Sequence, residues 1–215
     1  MSRLETRTCS FRSISACSEA ETVEKKSRFI CRLVPIDDPF QTEDVLLRIR
    51  HDYPGARHYC WACLIRSENG LLERYSDDGE PSGTAGLPIL AVLKNSGLQN
   101  LMAVVVRYFG GTLLGTGGLV RAYTQTVQLA LSQADMVDYI YCRRLRIEID
   151  YNLYGYFEKN LRPYMLIVND SRFTTSVTID GWLPVEKQPA FEQEIMEASG
   201  GKAVIEYMEQ AFMPD

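Results

Sequence analysis

The stretch LMAVVVRYFGGTLLGTGGLVRAYTQTVQLALSQA, Leu101 to Ala134, decides how the rest of the chain is read. It opens with an apolar, β-branched run, Leu101 to Val106, and closes with apolar residues at helical spacing, Val120, Tyr123, Val127 and Leu131. Between them five glycines fall within nine residues: Gly110, Gly111, Gly115, Gly117 and Gly118. The pattern predicts strand, glycine loop, helix. A helix starting near Gly118 turns unpaired N–H groups toward the loop, an arrangement that favours an anion. Arg107 and Arg121 flank it with permanent charge. Two nucleotide motifs fail here. Gly110 and Gly115 have P-loop spacing, but Thr116 stands where the lysine belongs, and Val120 holds the place of the third glycine of a dinucleotide fingerprint. A tight strand-to-helix connection with no ligand is the plain alternative.

Upstream, SDDGEPSGTAGLP (Ser76–Pro88) crowds Asp77, Asp78 and Glu80 into four positions among turn-forming residues. Like charges this close cost energy unless cations answer them. Arg57, His58, Arg74, Arg107 and Arg121 are available. Either the carboxylates pair internally with these groups, or they form an acid–base or divalent-metal site; internal pairing is the plainer reading. His58 opens a predicted strand, Arg57–Ser67. Cys60 and Cys63 in that strand form a C-x-x-C pattern, but residues three apart on a strand point to opposite faces, so both read as small buried residues.

The remaining chain fits two domains, 1–137 and 138–215. Residues 1–13 read as a loosely attached start. Strands follow at Ala20–Glu24 and Arg28–Val34, with Lys25-Lys26-Ser27 between them and Lys25, Lys26 and Arg28 as a small basic cluster. A helix is predicted from Phe40 to Tyr53 with Phe40, Val45, Leu46, Ile49 and Tyr53 on one face. Asn69-Gly70 signals a hairpin with Leu71–Tyr75 as return strand, and a helical turn starts near Pro88 and stops at Ser96-Gly97. The second domain reads as βαββαβ, a ferredoxin-like module. Its predicted elements are a strand at Tyr141–Asp150, a helix capped by Asn152 and running to about Arg162, strands at Leu166–Phe173 and Thr175–Ile179, a helix with Phe191, Ile195 and Met196 inward, and a strand at Ala203–Met208. Such a sheet can bind RNA through aromatic residues on its open face, but no RNP-like string occurs.

Composition narrows the function classes. The chain has 215 residues, 46% hydrophobic and 24% charged, with a net charge of −5. Residues 1–137 carry about fifteen charges of each sign, which leaves the acidic excess to residues 138–215. A general nucleic-acid binder shows a basic stripe instead. No apolar run approaches the roughly 20 residues of a membrane helix, and the polar start, MSRLETRTCSFRS, lacks a signal-peptide core. Six cysteines without such a signal fit reduced thiols in a cytoplasm.

Four motifs together, EKKSRFI, ARHYCWA, YSDDGEPSGTAG and AVVVRYFGGTLLGTGGLVRAY, resemble the Impact family, bacterial YigZ type, in order across about residues 22–130. The resemblance implies a ribosomal-protein-like α/β first domain, with a four-stranded sheet and two helices, similar in topology to domain IV of elongation factor G. It implies a second domain like domain V of that factor. Eukaryotic members act in translational control, binding the activator of a kinase that phosphorylates initiation factor two; they differ after the second glycine pair, so that partner does not carry over. The resemblance and the residue reading converge on one candidate groove for an anionic group: Arg28, His58, Asp77, Asp78, Glu80, Thr84, Arg107, Gly110, Gly111, Gly115, Gly117, Gly118 and Arg121. The expectation is a cytoplasmic binding or regulatory protein linked to translation through a ribosome, RNA or protein partner. No cofactor, metal, membrane or DNA-sequence reading is expected. The alternatives are a phosphate- or metal-dependent hydrolase or transferase using the Asp-Asp-Gly-Glu loop, or motifs that serve only the fold.

Overall fold

A computed structural model describes residues 10–67 and 70–215. They divide into two compact units, residues 12–137 and residues 138–215 with residues 10–11.

In the first unit the apolar run becomes β6 (Leu101–Tyr108), buried from Leu101 through Arg107. It lies between β3 (Ser27–Pro35) and β4 (His58–Ser67), antiparallel to both, with β2 (Ser18–Glu24) and β5 (Gly70–Ser76) outside. Alternate side chains serve opposite faces. Leu101, Ala103 and Val105 pack with α2 (Gly86–Ser96) and α3 (Thr116–Ser132). Met102, Val104 and Val106 pack with α1 (Gln41–Asp52). A strand covered on both faces needs an unbroken apolar run rather than alternation. Cys60 and Cys63 fall into these two different clusters, on opposite sides of the sheet as their spacing requires.

Several expectations need correction. The unit has five strands in one sheet and three helices, not four and two, because α1 covers the face opposite α2 and α3. Residues 10–14 form β1 (Ser10–Ile14), and Ile14 is fully buried. Phe40 precedes α1 and is 87% exposed, outside the buried stripe of Val45 and Ile49. On α3 the buried stripe is Leu119, Ala122, Tyr123, Thr126, Val127 and Ala130, with Val120 exposed. Thr126 hid that phase: its hydroxyl donates to Ala122 O (2.7 Å) and meets the Thr22 hydroxyl (2.5 Å), so a polar residue sits inside satisfied. The hairpin turn at Asn69 lies outside the described residues.

The second unit runs β7 (Met136–Ile149), α4 (Tyr151–Tyr156), β8 (Ile167–Phe173), β9 (Val177–Pro184), α5 (Gln188–Ser199), β10 (Val204–Pro214). Strands β8, β9, β7 and β10 pair antiparallel in that order, and β1 also pairs with β7. This is the expected ferredoxin-like arrangement. Leu145, Ile147 and Ile149 face a core with Phe157, Leu161, Phe191 and Ile195. Asn152 caps nothing; Asp150 holds the cap position, no side chain bonds there, and α4 gives way to a π-turn over Phe157–Leu161. Met196 is exposed. Strand β9 continues past Ile179 because Asp180-Gly181 is no breaker. A Cβ at Gly181 would lie 2.4 Å from Ile167 O, so glycine marks a close strand approach.

Two glycines give a stability test. A Cβ on Gly110 would fall 2.1–2.4 Å from Lys26 and Ser27 backbone atoms, whereas Gly117 faces open space. Gly110→Ala lowers stability by roughly 2–4 kcal/mol, while Gly117→Ala leaves it unchanged or slightly higher. Urea denaturation checks both, and equal effects would refute the assignment.

Candidate functional site

The acidic loop closes around Asp77. Its Oδ1 accepts from the N–H groups of Ala85 (3.0 Å) and Gly86 (2.8 Å), and its Oδ2 from Gly83 (2.8 Å). Ala85 is the cap residue of α2, so a carboxylate eight positions upstream serves the amides that the helix leaves unpaired. The Asp77 carbonyl accepts from Glu80 N–H (2.9 Å), closing a tight turn in which Asp78 and Gly79 both adopt positive φ. Thr84 turns inward and donates to Pro81 O (2.6 Å), bracing the loop. Asp78 accepts from Tyr59 N–H (2.7 Å) and pairs with Arg50 of α1 (3.0 Å).

Glu80 reaches into the protein. Its Oε1 accepts from Arg107 (2.6 Å) and from the Tyr123 hydroxyl (2.9 Å), and the Glu80 and Arg107 side chains are 3% and 6% exposed. The acidic loop, the end of β6 and the second turn of α3 therefore meet at one carboxylate. Beside it the Cys60 thiol donates to Asp77 O (2.9 Å), with Tyr123 Oη 3.2 Å away. Burial pushes the Cys60 thiol and the Tyr123 hydroxyl well above their ordinary values, so both keep their protons at neutral pH. His58 lies opposite Arg107 in the β4–β6 ladder. Its Nδ1 lies 2.8 Å from Asp78 O. A carbonyl only accepts, so Nδ1 carries a hydrogen, and Nε2 lies 4.0 Å from Glu80 Oε2. The Arg107 guanidinium lies over the rings of Phe29 (5.3 Å) and Phe109 (5.5 Å), and its buried Nε–H has no hydrogen-bond partner.

The carboxylates are thus engaged internally, though not wholly by the cations expected. Arg107 answers Glu80; Asp78 is met by Arg50, and Asp77 by backbone amides. Among the described residues no cluster of His, Cys, Asp and Glu could hold a metal ion. Arg57 is exposed over Phe109 (5.6 Å). Arg28 is not part of this cluster. Phe29 faces the α2–α3 side of the sheet, so its neighbour Arg28 points to the other side, where it makes a bidentate pair with Glu21 (2.8 and 2.9 Å).

The glycine segment is at the surface. Gly111, Gly115 and Gly117 are exposed, Gly110 and Gly118 half-buried, and Arg121 exposed. Helix α3 begins at Thr116, earlier than expected, with Gly115 at its cap position, no side-chain cap and no acidic residue in its first turn. Gly110 has a structural duty: its N–H donates to Ser27 Oγ (3.1 Å) as it presses against the Lys25-Lys26 turn. The open face of the second unit is filled by ion pairs, Arg144 with Asp180 (3.0 Å) and Glu209 (3.2 Å), Arg146 with Glu206 (3.4 Å), and Arg172 with Asp170 (2.7 Å).

Sequence reasoning missed Tyr123, Cys60, Arg50, Ser27 and Phe109 as members of this cluster. Tyr123 gave the best signal, since a tyrosine on a buried helical stripe needs a partner for its hydroxyl.

A three-layer α/β unit, whose central strand passes through a glycine loop into a helix, followed by a ferredoxin-like unit defines a class of two-unit α+β proteins. Residues 25–131 match the family described as the Impact N-terminal domain, and residues 147–202 match a domain of unknown function (DUF1949). The chain is 34% identical over 204 residues to the IMPACT family member YvyE of Bacillus subtilis, covering 95% of this chain and 94% of the relative. It is 48% identical over 110 residues to the IMPACT family member YigZ of Escherichia coli, covering 51% and 54%. A solved structure described as that of a hypothetical protein superposes with a TM-score of 0.63 at 33% identity, over 93% of this chain and 98% of the other. The chain belongs to the IMPACT family.

Glu80→Gln leaves the Arg107 charge buried without its counter-charge and costs about 3–5 kcal/mol; Tyr123→Phe, which removes one neutral donor, costs about 1–2 kcal/mol. Denaturation curves that rank them the other way would overturn the cluster's logic. Because the fold raises the Cys60 value, the stability tied to its proton is whole below the ordinary thiol value of about 8.5 and is lost as pH rises. Urea midpoints therefore decline at alkaline pH, and Cys60→Ala makes that decline shallower; an unaltered slope would count against a buried neutral thiol.

Proposed function

We propose that the chain is a cytoplasmic binding and regulatory protein connected with translation. It holds an anionic group, an RNA phosphate, along the outer side of the Gly111–Gly118 segment. One observation carries this reading. The Asp77, Asp78 and Glu80 carboxylates are committed to partners of their own chain, while α3 starts at the surface with neither side-chain cap nor acidic first turn. Amides left at a helix start, with Arg121 in the second turn and Arg57 over Phe109, attract an anion without reading a base sequence. The family resemblance supports the link to translation. Among the described residues no helix is long and apolar enough to cross a membrane.

The same arrangement gives the catalytic alternative less to work with. Asp77 has three amide bonds, Asp78 an amide and an arginine, and Glu80 a guanidinium and a phenol.

Affinity for ribosomes or ribosomal RNA is measured as salt is varied. Binding weakens steeply with salt, and Arg57→Ala and Arg121→Ala each lower the logarithmic salt slope by about 1 with unchanged melting temperature. Flat salt dependence, or variants with unaltered slopes, would sink the phosphate reading.

A further inference from the structure

Helices α2 and α3 pack side by side over the sheet and leave a groove of about 460 Å³ on their outward side. Pro88, Ala91 and Val92 line it from α2, and Val120, Thr124 and Leu131 from α3. We propose that this groove is a docking site for an amphipathic helical segment of a protein partner, with apolar side chains in the groove and a carboxylate on Arg121.

Charge is the first argument. Solvent-facing helices normally carry charged residues on their outer side, and the chain as a whole is 24% charged. Yet α2 (GLPILAVLKNS) has only Lys94 and α3 (TGGLVRAYTQTVQLALS) only Arg121. Lys94 is already bound to Glu73 (2.8 Å). Depletion of charge is the compositional mark of an interface centre, whereas overall apolarity is not. Val120, one of the lining residues, is exposed.

Charge also argues against a second copy of this chain. A two-fold contact sets a patch against itself, and neither α2 nor α3 offers an acidic residue to meet Arg121 across the concave groove. A convex helix fills it, presenting anchors at i, i+3 or i+4, and i+7. The rim then selects the sign of the partner's charge. Arg121 shares a helical stripe with Gln128, seven residues on, which lines the groove. Neither helix contains an acidic residue, so a basic segment finds repulsion and an acidic one finds Arg121.

The inference does not rest on the anionic-group reading. A display library of helical peptides, each about 16 residues long, is panned against the full chain. Enriched peptides carry an apolar stripe flanked by Asp or Glu. Their affinity falls roughly tenfold or more with both Ala91→Glu and Ala91→Arg, and several-fold with Arg121→Ala. Melting temperature and RNA affinity do not change in either Ala91 variant. Should Ala91→Glu unfold the chain, Gln128→Glu, also at an exposed position and on the same stripe as Arg121, replaces it. The proposal is overturned if nothing enriches above an empty support, if binding ignores the groove substitutions, or if the enriched flanks are basic. A concentration-dependent dimer abolished by the same substitutions would overturn it in favour of a second copy.

Discussion

Glu80 and Arg107 face each other at 2.6 Å almost without solvent, and the first unit is built around that contact. Bringing two charges out of water costs several kcal/mol per ion, so such a pair contributes little net stability compared with an apolar filling. Its value is positional. Arg107 ends the buried run of β6, Glu80 belongs to the acidic loop, and Tyr123 brings in α3. Those segments are joined only if both charges find each other, and any register of β6 that moved Arg107 to the other face would turn a guanidinium toward the apolar α1 side, with Val45 and Ile49, and leave Glu80 without its partner. One ion pair thus fixes strand register, loop position and helix phase together.

Much of the fold was legible because apolar periodicity survives in the sequence. The continuous run of β6 reads as a strand covered on both sides, and Leu145, Ile147 and Ile149 read as alternating burial. Where a polar or small residue serves the interior, the pattern misleads. Thr126 disguised the buried stripe of α3, and Gly181 made a continuous strand look broken. The site was legible as an inventory but not as a pairing. Asp77, Asp78, Glu80, His58 and Arg107 stood out by type and crowding, yet nothing in their spacing tells Asp77 to serve α2 or Asp78 to choose Arg50. Those partners are selected by sheet register and helix placement, long-range facts that no local pattern records.

The glycine segment shows how one composition serves two ends. Gly110 lets the backbone press against the Lys25-Lys26 turn, where a methyl group has no room, and the Ser27 hydroxyl fixes that approach. Gly117 meets nothing within 4 Å and sits in the uncapped start of α3. The first is explained by the chain itself; the second leaves backbone amides accessible from outside.

Asp77 draws in amides six, eight and nine positions further along the chain. A ring that short carries a small closure entropy, far below that of the strand pairings around it. The segment from Asp77 to Gly86 can therefore assemble on its own, ahead of the sheet, on the timescale of local chain contacts. What that short ring cannot supply is the partner of Glu80, since Arg107 lies 27 positions further along the chain and is brought to it only by the sheet.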